Sequence, residues 1–163
     1  MIKRFAAMVL CVSVCCSVLL IPASGQGTGQ SAAPFTLKDL SGNAYSLSDY
    51  SGKKPVLLFF WTTWCPYCLT KLRLMNTEYE GLEKSGVALL AVNAGERRSS
   101  VERLVRNYGI RYTVLVDESS SATDDYRVIG VPTFVLIDRE GRIRYKGNEY
   151  PESAIEELTG RQE

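Results

Sequence analysis

The feature that most restricts the fold is a junction. Val56-Leu57-Leu58-Phe59-Phe60-Trp61 is an unbroken apolar run of strand length, and it leads through Thr62-Thr63 into Trp64-Cys65-Pro66-Tyr67-Cys68. A strand that is apolar at every position must be covered on both faces, so it belongs inside a layered sheet. From Pro66 to Lys84 the apolar residues Leu69, Leu72, Met75, Tyr79 and Leu82 recur at intervals of three or four, which makes one helical face, and Gly86 suits its stop. The two cysteines therefore stand where the expected central strand turns into a helix.

The rest of the chain supplies partners for that strand. Phe35–Leu40 and Ala44–Leu47 flank Ser41-Gly42-Asn43, a short Gly-containing loop that predicts a β-hairpin. Val87–Val92 predicts a second apolar strand, and Ser99 with Glu102 reads as a capping box for a helix through Asn107, ended by Gly109. Tyr112–Val116 is a further short strand. Phe134–Ile137 and Arg142–Tyr145 bracket Asp138-Arg139-Glu140-Gly141 as a second hairpin, and Pro151–Leu158 closes the domain as a helix. Strands alternating with helices give an α/β fold: a central mixed β-sheet flanked by helices, with an added N-terminal β-hairpin and an antiparallel edge.

The chain begins with an address. Lys3 and Arg4 precede an uncharged run from Phe5 to Ile21, followed by Pro22-Ala23-Ser24-Gly25, the layout of a secretory signal peptide spanning residues 1–25. The apolar run also reaches the short end of a membrane span, so anchoring through residues 5–21 is the alternative. Residues 26–33 have no apolar periodicity and read as a flexible linker, with the domain taking residues 34–163. Cys11, Cys15 and Cys16 lie in the apolar run, where they serve as small hydrophobes. Cleavage after Gly25 leaves Cys65 and Cys68 as the only cysteines.

Composition narrows the chemistry. With 19 Lys and Arg against 18 Asp and Glu, the chain lacks the basic excess that a phosphate backbone requires, so nucleic acid is not an expected partner. It contains no histidine, which removes imidazole bases, His-ligated zinc or copper and a haem axial histidine from this chain.

At a helix N-terminus, unpaired backbone N–H groups and the macrodipole favour an anion, so Cys65 should ionise more readily than a free thiol and act as the nucleophile. Cys68 lies within one helical turn and can displace a mixed disulfide formed on Cys65. Pro66 presets the first helical turn without losing a needed hydrogen bond. A purely stabilising disulfide is the plain alternative, but so small a loop constrains the unfolded chain little. Structural zinc needs about four ligands, and covalent haem attachment needs a histidine where Leu69 stands. No cofactor beyond a redox-active Cys65–Cys68 pair and no metal is expected.

With these motifs the chain resembles the thioredoxin superfamily, and more closely its exported TlpA/ResA-type members. The resemblance runs from about Pro34 to Leu158 through APFTLKDLSG, SLSDYSGKKPVLLFFWTTWCPYC and VPTFVLIDREGRI. It implies a thioredoxin-like fold and a thiol-disulfide oxidoreductase, with a cis Pro132 facing the dithiol. The backbone of Val131 and Thr133 beside Pro132 becomes the docking edge for an extended substrate, with Trp64, Pro66 and Tyr67 as further substrate-docking residues. It further implies reduction of protein disulfides, for instance in cytochrome c maturation, a membrane thiol electron donor, a periplasmic or outer-face location and a monomer.

Three positions depart from the family pattern. Phe59 replaces a buried acid, Lys71 a glutamate and Arg73 a helix proline. The usual acceptors for the Cys68 proton are thus missing; water or a carboxylate such as Glu96 is the substitute to look for. Two rival functions follow from the residues. Thr62 precedes Cys65 as in the peroxiredoxin T-x-x-C pattern of thiol peroxidases, although Leu58 occupies the position of that pattern's proline. A copper chaperone on the same fold is a non-enzymatic alternative, opposed by the absent histidine.

Overall fold

The structure, a computed structural model, describes residues 28–160. The signal or anchor segment, with Cys11, Cys15 and Cys16, lies outside the described residues. The described chain forms strands β1 (Thr36–Asp39), β2 (Ala44–Ser46), β3 (Val56–Trp61), β4 (Ala88–Ala94), β5 (Thr113–Asp117), β6 (Thr133–Ile137) and β7 (Ile143–Gly147). Its helices are α1 (Pro66–Lys84), α2 (Arg98–Tyr108), α3 (Ser121–Asp125) and α4 (Glu152–Thr159). The strands make one sheet in the order β2-β1-β5-β4-β3-β6-β7. β3, β4 and β5 are parallel, whereas β6, β7, β1 and β2 join antiparallel. The mixed α/β sheet, the N-terminal hairpin and the antiparallel edge all match the sequence reading.

Every residue of β3 is buried, and the strand feeds two cores by alternation. Leu57, Phe59 and Trp61 pack with Leu72 and Met75 of α1, Val101 of α2 and Ile155 of α4. Val56, Leu58 and Phe60 pack on the other face with Phe35, Leu37, Ala122 and Tyr126. Tyr126 donates its hydroxyl to the carbonyl of Ala33 at 2.8 Å, and Tyr112 donates to the carbonyl of Leu72 at 3.0 Å. Burial of these rings in apolar surroundings holds both phenols above their ordinary pKa; the Asp125 charge adds to the effect at Tyr126.

Several sequence expectations change in the fold. β3 is an inner strand, but β4 takes the middle place of the seven. Ser99 does not cap α2: the N-cap is Arg97, two residues earlier, the helix starts at Arg98, and the Glu118 carboxylate accepts the Arg98 N–H at 2.8 Å. A cap delivered from the β5 end of the sheet has displaced the local capping box. The short helix α3, for which no periodicity was visible, is held by Asp117, whose carboxylate accepts both the N–H and the hydroxyl of Thr123 at 2.8 and 2.7 Å.

The linker reading also changes over its described part. Gly29 donates its N–H to Ile143, Ala32 donates to Gly141, and Gln30 accepts from Ile143, so residues 28–33 are laid along the β6–β7 hairpin rather than left as a tether. The hairpin edge offers unpaired backbone groups, and a polar Gly/Ser segment satisfies them as well as an apolar strand would.

The site's location follows from topology. From β3 the chain crosses to β4 and β5 on one side, and later returns to pair β6 on the other. Such a reversal opens a crevice at the carboxyl end of the strand where it occurs. Because β6 runs antiparallel, with Phe60 opposite Thr133, the residues just before β6 reach the same end of the sheet as the residues just after β3.

Candidate active site

Cys65 is the N-cap of α1 and Pro66 occupies its first turn. The cap residue has extended backbone angles, φ −91° and ψ 108°, so its side chain folds back over the helix start. Cys65 and Cys68 form a disulfide, with their Cα atoms 5.2 Å apart. The backbone N–H of Cys68 is directed at Cys65 Sγ, at 3.2 Å. Once the pair is reduced, this N–H and the helix dipole both favour charge on Cys65. Cys68 is fully buried and Cys65 nearly so, whereas Trp64 and Tyr67 on either side are 71% and 78% exposed.

The segment expected to face this pair does so. The Val131–Pro132 peptide is cis, and the carbonyl oxygen of Val131 lies 3.7 Å from Cys65 Sγ. Pro132 and Thr133 are buried and Val131 is half-buried. Thr133 donates its hydroxyl to the carbonyl of Gly130 at 2.6 Å, closing the turn that leads into β6. Of the sequence-selected residues, Cys65, Cys68 and Val131 thus meet directly, while Trp64 and Tyr67 form exposed shoulders and Pro66 shapes the helix start.

The departures from the family pattern have specific surroundings. Phe59 stacks on Phe134, with ring centroids 4.7 Å apart and planes at 11°, so an aromatic pair fills the space expected of a buried acid. Lys71 donates to the Glu149 carboxylate at 2.6 Å, and the acid comes from the loop after β7. Arg73 lies over the Tyr108 ring of α2, 5.0 Å from its centroid, and α1 runs unbroken for its 19 residues.

Glu96, the carboxylate considered for the Cys68 proton, is engaged elsewhere. It accepts the N–H and hydroxyl of Thr63 at 2.6 and 2.5 Å, together with Asn93 Nδ2 at 2.7 Å. It therefore ties the β4–α2 loop to the turn just ahead of Cys65. Sequence reading overlooked Asn93, Asn148 and Glu149. Asn93 had a signal, as a polar residue ending an apolar run; the other two look like ordinary loop residues. Thr62 is buried, and its hydroxyl hydrogen-bonds to no protein group, Cys65 included. Among the described residues no three His, Cys, Asp or Glu side chains gather as a metal-ligand set, and no helix is long and apolar enough to cross a membrane.

A disulfide-bonded cysteine pair at the start of the helix that leaves an inner strand, with a cis-proline turn against its first sulfur, defines a thioredoxin-like protein. The comparisons agree. The sequence matches the AhpC/TSA family over residues 28–146, and the chain belongs to that family. It is 40% identical over 116 residues to thiol-disulfide oxidoreductase ResA of Geobacillus kaustophilus, a stretch covering 71% of this chain and 66% of that protein. Against ResA of Bacillus subtilis it is 36% identical over 115 residues, covering 71% and 64%. The alignments thus span just under two thirds of these relatives' length. A Chlorobium tepidum protein described as a thiol:disulfide interchange protein DsbE superposes with a TM-score of 0.71 at 27% identity, covering 83% of this chain and 95% of the other.

Proposed function

We propose that the chain is a thiol-disulfide oxidoreductase that reduces disulfides of partner proteins, with Cys65 as nucleophile and Cys68 as resolving thiol. The observation that carries this reading is the Cys65–Cys68 disulfide at the start of α1, with the Cys68 N–H on Cys65 Sγ and Val131 beside it. In the reduced protein the Cys65 thiolate attacks one sulfur of the substrate disulfide. The substrate S–S bond breaks, a mixed disulfide forms, and the departing substrate thiolate takes up a proton. Cys68 then loses its proton and attacks Cys65 Sγ, which releases the second substrate thiol and leaves Cys65–Cys68 oxidised. Two electrons have passed to the substrate, and a donor dithiol returns them. No dissociable cofactor takes part.

The docking role falls to the backbone of Val131 and Thr133 around Pro132, with Trp64, Pro66 and Tyr67 giving apolar contact to the chain flanking the substrate cysteine. The finer reading is export through residues 1–25, cleaved or kept as an anchor, and work at the periplasm or the outer membrane face as a monomer. Reduction of apocytochrome c by electrons from a membrane thiol donor fits that setting. The test is insulin reduction with dithiothreitol. Cys65→Ser should abolish turnover, and Cys68→Ser should accumulate mixed disulfides on Cys65. Undiminished turnover by Cys65→Ser would overturn the mechanism.

A further inference from the structure

We propose that Asn148, braced by its neighbour Glu149 and by Lys71, is a positioning residue that sets the docking segment 131–133 against the dithiol; the proposal rests on the thiol-disulfide reading above. The carbonyl of Pro132, at the centre of that segment, accepts a hydrogen bond from Asn148 Nδ2 at 2.6 Å in a partly buried setting. Asn148 follows β7 directly, in a loop with a second grip. Tyr145 donates its hydroxyl to the Glu149 carbonyl at 3.1 Å, and the Glu149 carboxylate receives Lys71 Nζ at 2.6 Å. Lys71 sits on α1 one turn beyond Cys68. Residues 148 and 149 therefore hold the docking segment with one side chain and the helix carrying the dithiol with the other.

The strap's bonds go to the Pro132 carbonyl and to Lys71 Nζ, not to either sulfur. The acid of the ion pair is 80% exposed, so the pair adds little to stability, and its consequence is geometric. A protein substrate pairs its backbone with residues 131–133, and the register of that pairing places its disulfide on Cys65. Small misplacements of reacting atoms lower rates strongly. A small disulfide needs no such pairing and can find Cys65 without the segment.

The test compares the full-length protein with Asn148→Ala and with Asn148→Asp, which keeps the side-chain shape but has no donor at neutral pH. Insulin is the protein substrate and oxidised glutathione the small one. Loss of this hydrogen bond should lower kcat/KM for insulin about fivefold, with less than about a twofold change for glutathione. Equal losses on both substrates, or no loss on insulin, overturn the proposal. A second arm keeps it testable if the Asn148 variants do not fold: Lys71→Met should lower the insulin-to-glutathione ratio, and the exchange Lys71→Glu with Glu149→Lys should restore it. Effects through thiol acidity move both substrates together, so an unrestored ratio also overturns the strap. Wild type that reduces neither disulfide would defeat the oxidoreductase reading itself, a result distinguishable from a lost substrate split.

Discussion

Replacing Glu96 by alanine should damage the protein far more than replacing it by glutamine, and the difference can be worked from three hydrogen bonds. One carboxylate oxygen, Oε2, accepts from the Thr63 N–H and from Asn93 Nδ2; the other, Oε1, accepts from the Thr63 hydroxyl. Alanine removes all three. Asn93 is fully buried and its Oδ1 already has no protein partner, so truncation strands the whole amide. Leaving a buried polar group unpaired costs about 1–3 kcal/mol; of the three donors affected, the Asn93 amide is fully buried, whereas water can reach the N–H and hydroxyl of half-buried Thr63 in part, so about 3 kcal/mol is the expected loss. In a domain of this size each kcal/mol moves Tm by about 3–4 °C, so Glu96→Ala should melt about 10 °C lower. Glutamine can place its amide oxygen where Oε2 lies and its NH2 toward the Thr63 hydroxyl. All three bonds survive without the charge, at a cost of about 1 kcal/mol. Thermal and urea unfolding of the oxidised protein at neutral pH measures both variants, and an unchanged m-value confirms that only native stability has moved. Equal destabilisation by the two substitutions, or none by either, would refute the reasoning. The same pair separates structure from proton transfer: Glu96→Gln should retain insulin turnover, and a stable variant that has lost it would make the carboxylate the acceptor of the Cys68 proton.

Two further outcomes are expected. Lys71→Glu brings a second acid beside Glu149 and one turn from Cys68, so the Cys65 thiol should ionise less readily and the protein should become less oxidising; thiolate absorbance titration with glutathione equilibration checks both, and a shift in the opposite direction would remove local charge as the controlling influence. At Asp39, burial alone would raise the carboxyl pKa, but the Asn43 side chain and the N–H groups of Asn43 and Ser41 outweigh it and hold it below 3.8. Its stabilisation is therefore present above that ordinary value and lost as pH falls through the depressed one, so Asp39→Asn should flatten the acid limb of the stability curve in urea unfolding.

Much of the site is legible in the sequence alone. An apolar run dense enough for a doubly covered strand, a proline-started helical stripe and two cysteines between them place a nucleophile at a helix N-terminus, because each of these signals is carried by residues close in sequence. The boundaries of α1 follow for the same reason: Pro66 suits the first turn, and Gly86 lies just past its end with φ +74°. The two hairpins announced themselves by Gly-containing turns.

What tertiary structure alone decided is everything that depends on register and on loops from distant parts of the chain. The position of β4 at the sheet centre, the Glu118 cap that moves the start of α2, and the laying of residues 28–33 along the late hairpin all involve partners far apart in sequence. So do the three bonds of Glu96 and the hold of Asn148 on Pro132. A carboxylate or amide in a loop has the same composition whether it faces water, a thiol or a backbone N–H. Local sequence specifies the dihedral preferences and the apolar face of each element, whereas the partner of a polar loop side chain is set only when the packed sheet brings remote backbone groups within about 3 Å of it.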